Sequence, residues 1–99
     1  MSEFPVHPVP AEWREKAYID RARYDEMYRR SVEEPDAFWA EQASEFLQWD
    51  TPWHTVCDYD LREGRAAWFD GAELNASVNC IDRHLPDRAD QVAIIWEGV

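Results

Sequence analysis

Four side chains of this 99-residue sequence have the types and paired spacing of a metal site. His54-x-x-Cys57 and Cys80-x-x-x-His84 together spell H-x2-C … C-x3-H. Imidazole nitrogen and thiolate sulfur are the donors that tetrahedral zinc takes, and Cys80 and His84 would sit one turn apart on a helix. The plainer alternative makes Cys80 a small apolar side chain and His84 a residue near a helix C-terminus. It is favoured, because the ligand order and the wide gap between the pairs match no common structural-zinc pattern. Asp58 and Asp60 flank Tyr59 in a stretch that reads as extended. Alternation puts both carboxylates on one face, as acid–base or metal chemistry needs. With twenty-one acidic residues in the chain, the pair reads instead as a solvated face with Tyr59 turned inward. Glu41 and Glu45 lack the histidine of a di-metal helix. Asp82-Arg83-His84 has the letters of a relay without a nucleophile, and adjacent helical residues point in different directions. Asp82 and Arg83 read as anchors to neighbouring segments.

The glycines are Gly64, Gly71 and Gly98, so no glycine-rich phosphate loop is present. The single lysine, Lys16, falls in a polar helical turn near the N-terminus. No residue is therefore assigned a catalytic, cofactor-binding or metal role, and no cofactor is expected for these residues by themselves.

The elements that would hold these side chains follow from local signals. Pro5, Pro8 and Pro10 make residues 1–10 an extended lead-in. Ala11–Ala17 can form one or two helical turns. Asp20 is a suitable N-cap for a helix over Arg21–Val32, with Tyr24, Met27, Tyr28 and Val32 on one face. Glu33-Glu34-Pro35 ends it, because the residue before proline leaves the α region. Pro35 then suits the first turn of a second helix, whose apolar stripe is Phe38, Trp39, Gln42, Ala43, Phe46 and Leu47. Thr51-Pro52 breaks the pattern. Trp53–Leu61 reads as extended, and Trp68-Phe69 as a second short extended piece closed by the turn Asp70-Gly71. Asn75 caps a third helix that carries Val78, Ile81 and Leu85 and stops at Pro86. Val92–Trp96 is the clearest strand pattern, followed by the turn-like Glu97-Gly98. The class these predict is α+β: a predominantly helical small unit with short strands, the last one half of an incomplete hairpin.

Composition bounds the rest. Ninety-nine residues allow one domain, 1–99, and such a unit is marginal alone. Nineteen Leu, Ile, Val and Phe residues with a net charge of −11 lean toward disorder. Six tryptophans and four tyrosines oppose that, since a few large rings can build a core; Trp39 and Trp68 are candidates for it. Acidic residues are spread through both halves, and such a surface repels phosphate backbones and anionic lipid, so neither nucleic acid nor membrane is an expected partner. No secretory signal or apolar run of membrane-spanning length is present, and the expected location is the cytoplasm. Cys57 and Cys80 there read as free thiols.

Several segments carry a family resemblance. Trp68-Phe69, Gly71, Leu74-Asn75, Asn79-Cys80-Ile81-Asp82-Arg83-His84-Leu85 and Ala93-Ile94-Ile95-Trp96-Glu97-Gly98 resemble, in order, the N-terminal region of AMP-forming acetyl-CoA synthetases. Ile81 replaces the usual leucine, and Val99 an aspartate. Pro8–Trp13, Tyr24–Tyr28 and Pro35–Trp39 resemble the same family's opening helices. Cys80 and His84 match its motif, whereas His54 and Cys57 fall where it shows no such ligands. The resemblance implies an enzyme that joins acetate to coenzyme A through acetyl-adenylate, with ATP, Mg and CoA bound by residues beyond Gly98. For this chain it implies a non-catalytic structural segment, packed against the remainder of an acyl-CoA synthetase or self-associating through Val92–Trp96. Propionyl- and acetoacetyl-CoA synthetases share such regions. A stand-alone interaction module with a Trp-rich face and a small metal-binding regulator are the alternatives from other classes.

Overall fold

The computed structural model describes residues 4–5 and 7–99. The chain divides into two compact units, one ending at Phe38 and the other running from Trp39 to Val99.

In the first unit, α1 spans Ala11–Lys16. The extended Pro10 precedes it, and the Pro10 carbonyl accepts from the amides of Trp13 and Arg14 at 3.1 Å each. Six residues cannot hold a helix by propensity alone, and none of its side chains is buried. α2 spans Arg21–Glu33, one residue beyond the expected end. Its cap is the predicted one: Asp20 Oδ1 accepts from the Arg23 amide at 2.8 Å, satisfying a donor that the helix leaves open. Glu34 departs from helical geometry (φ −133, ψ 55) ahead of Pro35. α3, Pro35–Phe46, begins on that proline and carries the buried Phe38, whose ring lies 5.9 Å from the Arg30 guanidinium. The expected apolar face of α2 is open. Tyr24 and Tyr28 stack at 6.2 Å between centroids, yet both rings and Val32 are exposed.

The second unit is built on an antiparallel hairpin. β1, Thr55–Asp60, pairs with β2, Arg65–Asp70, with Thr55 opposite Asp70, Cys57 opposite Trp68 and Asp60 opposite Arg65. The connection is made by Asp60, whose Oδ1 accepts from the Arg62 amide at 2.9 Å, and by Gly64 at φ +66, a left-handed geometry that glycine adopts without strain. A bridge between Thr51 and Glu73 continues the pairing beyond the hairpin's open end. Asn75 caps α4, Ala76–Cys80, through Oδ1 and the Val78 amide at 3.2 Å.

The expected single helix after Asn75 is broken. At Ile81 (φ −128, ψ −67) α4 gives way to a 3₁₀ turn, Asp82–His84, and then to α5, Leu85–Arg88. Pro86 does not stop a helix; it lies in the first turn of α5, where its missing N–H leaves no bond unmade.

The last expected strand, Val92–Trp96, forms no ladder among the described residues. Its apolar side chains are 69–89% exposed. A strand exists through its partner's N–H and C=O groups, and the described residues supply none for it. The α+β class holds, with β1 and β2 as its sheet. No helix among the described residues is long and apolar enough to cross a membrane.

Packing is thin. Among the described residues the buried hydrophobic side chains are Phe38 and Ala43, and no large side chain is fully buried. Trp39 and Trp68, expected in the core, are 41% and 54% exposed. The rings that do meet are Trp49, Trp53 and Phe69, with centroids 5.2–5.5 Å apart and Trp53 edge-on to both others. Phe69 reaches that cluster from φ +49, a conformation uncommon for an aromatic residue. The Val56–Phe69 pair is missing from the ladder at that point.

Candidate functional site

The signature segment Asn79–Leu85 makes contacts that span 31 and 37 residues of sequence. Asn79 closes α4 on its inner side and is 5% exposed, the buried polar residue of the described chain. Its Oδ1 accepts from the Gln48 amide at 2.7 Å, and its Nδ2 donates to the Gln48 carbonyl at 2.8 Å and to the Asn75 carbonyl at 3.0 Å. One carboxamide thus satisfies both backbone groups of Gln48, as a neighbouring strand would. Four residues on, Arg83 Nη2 donates to the Phe46 carbonyl at 2.7 Å. Phe46 ends α3, where carbonyls lack helical partners and a cation is favoured. Trp49 Nε1 adds a bond to the Ala43 carbonyl at 2.9 Å. His84 Nε2 lies 3.1 Å from the Asn79 carbonyl and 3.3 Å from Arg83 Nε; its tautomer decides whether it donates to the first or accepts from the second. The site is a capping arrangement for the end of α3, and the reading of Arg83 as an anchor to a neighbouring segment holds.

The other candidates are placed apart. His54 Nδ1 lies 3.1 Å from Thr55 Oγ1, and its Nε2 is 3.8 Å from Asp70 Oδ2. Cys57 is half-buried in β1 and Cys80 exposed at the end of α4. Among the described residues no three His, Cys, Asp or Glu side chains converge as a metal would require. Asp58 pairs with Arg65 at 3.3 Å across the hairpin, while Asp60 caps the turn. Tyr59, expected to turn inward, is 65% exposed. Glu41 and Glu45 line one exposed face of α3 with Ala40 and Ser44. In α2, a hydrogen bond to Asp25 pushes the Arg21 guanidinium further up, and Glu33, with Glu26, does the same to Arg29. These exposed pairs keep charges charged and add little stability.

Sequence reasoning missed the role of Asn79. The available signal was its type, since asparagine is a poor residue for a helix interior and favours bonds to backbone. Its partner could not be read, because Gln48 is remote in sequence.

Fold and geometry together define a small α+β region in which Asn79, Arg83 and Trp49 serve the backbone at the end of α3. The chain matches the family described as acetyl-coenzyme A synthetase N-terminus over residues 24–80, and it belongs to that family. It is 56% identical over 98 residues to the acetyl-coenzyme A synthetase of Alcanivorax borkumensis. It is 55% identical to acetyl-coenzyme A synthetase 2 of Pseudomonas aeruginosa and 53% identical to the acetyl-coenzyme A synthetase of Saccharophagus degradans, again over 98 residues. Each match takes in 99% of this chain and 15% of the relative. The chain therefore spans about 15% of the length of these curated relatives.

Proposed function

We propose that these residues are the non-catalytic N-terminal structural region of an AMP-forming acetate–CoA ligase. In the whole enzyme, an acetate oxygen attacks the α-phosphorus of ATP, with Mg bound, to give acetyl-adenylate and pyrophosphate. The CoA thiolate then displaces AMP at the acyl carbon. ATP, Mg, acetate and CoA belong to residues other than these 99. The work of this chain is to present apolar side chains to the remainder of the enzyme, in the cytoplasm.

The observation that carries the reading is the outward display of large apolar groups in a family-matched chain. Trp68, Ile81, Leu85, Val92, Ile94, Ile95 and Trp96 are all between 49% and 89% exposed. Exposed apolar surface on this scale marks an interaction face.

The test is a chimera. The Alcanivorax borkumensis synthetase, with its matching N-terminal region replaced by this chain, is expected to keep acetate-dependent pyrophosphate exchange into ATP. The 99-residue chain alone is expected to show none. Exchange by the isolated chain, or a well-folded chimera without activity, would sink the proposal.

A further inference from the structure

The second unit has almost no apolar core, yet one of its buried groups is a fully bonded carboxamide. We propose that Asn79 and Arg83 form a clasp that orders this unit before it meets any partner, leaving its apolar side chains free to face outward. The inference deepens the packing role proposed above and rests on it for the identity of the partner.

The C-terminal carbonyls of a helix have no internal N–H donor, and α3 ends at Phe46 just before an irregular stretch. In most small domains an apolar core would fix that stretch. Here Ala43 is the buried hydrophobic residue among those described from Trp39 onward. The order comes instead from directed bonds: Asn79 to both backbone groups of Gln48, Arg83 to Phe46, and Trp49 Nε1 to Ala43. Directed bonds specify one arrangement, because each has a narrow range of distance and angle, and a buried polar group left unpaired is costly. The described residues contain no buried side-chain polar atom without a partner.

The clasp spans the break at Ile81. Asn79, in α4, faces Gln48, while Arg83, in the 3₁₀ turn Asp82–His84, reaches the Phe46 carbonyl. Ile81 and Leu85, on either side of that turn, are 57% and 49% exposed.

Hydrogen exchange on the 99-residue chain tests this. The Gln48 amide is expected to exchange at least about tenfold more slowly than an open amide, and Asn79→Ala is expected to abolish that protection. Asn79→Asp keeps the acceptor facing the Gln48 amide and loses both donors. It is expected to retain slowed exchange at Gln48 while exchange elsewhere in residues 39–90 accelerates. Free exchange at Gln48 in the unaltered chain, undiminished protection in Asn79→Ala, or equal loss in both variants would each overturn the clasp. An active chimera with an unprotected Gln48 amide would sink the clasp and leave the packing role standing; the opposite pair of results would do the reverse.

Discussion

Trp53→Ala is expected to destabilise the second unit far more than Trp68→Ala. Its indole stands edge-on to Trp49 and to Phe69 at 5.2 Å each. Deleting a fully buried tryptophan costs about 3–5 kcal/mol. Trp53 is half-buried, so roughly half of that applies, while each lost edge contact adds about 0.5–1.5 kcal/mol beyond area. We expect a loss of about 2.5–5.5 kcal/mol. For a chain of this size that lowers the melting temperature by about 10–40 °C, read by near-ultraviolet circular dichroism of the remaining indoles. Trp68 is 54% exposed, and its ring lies tilted 6.2 Å from that of Phe69, so Trp68→Ala is expected to cost about 1 kcal/mol or less. The same cluster holds Phe69 at φ +49. Phe69→Gly, which accepts that geometry, is therefore expected to lose less than Phe69→Ala. A Trp53→Ala melt within experimental error of the unaltered chain, or a larger loss for Trp68→Ala, would refute the assignment of the Trp49–Trp53–Phe69 cluster as the packing centre.

Asp20→Ala removes the acceptor for the Arg23 amide and should cost α2 about 1 kcal/mol, seen as faster amide exchange in its first turn. Gly71→Ala should cost about 1–2 kcal/mol because Gly71 sits at φ +80. The new Cβ would also fall 2.5 Å from His54 Cδ2, but that imidazole is 68% exposed and can swing away, so chemical denaturation of Gly71→Ala in a His54→Ala background should show most of the loss remaining. The isolated chain should self-associate through the apolar segment Val92–Trp96, whose backbone groups form no ladder among the described residues. Ile94→Lys should weaken the association by placing a charge there, and sedimentation of a clean monomer at high concentration for the unaltered chain would count against it.

Signals confined to a few residues were legible in the sequence. Asp20 as the cap of α2 and Asn75 as the cap of α4 each act on a backbone donor three residues away, and Pro35 opens α3 through its own fixed φ. The family, too, was readable as ordered letters. What the sequence left undecided depends on residues brought together from a distance. Trp68-Phe69 reads as a short extended piece, yet β2 begins at Arg65, because pairing with β1 decides it. Trp39, Trp68 and Tyr59 have the apolar character of core residues, and the packing turned them outward while Trp49, Trp53 and Phe69 met. Val92–Trp96 has a strand's composition and no ladder among the described residues. Apolar type and local period set how a segment can fold, but burial and pairing belong to two segments at once. Asn79 shows the division most sharply: its residue type announced a side chain that seeks backbone partners, and only the tertiary structure chose Gln48, 31 residues away.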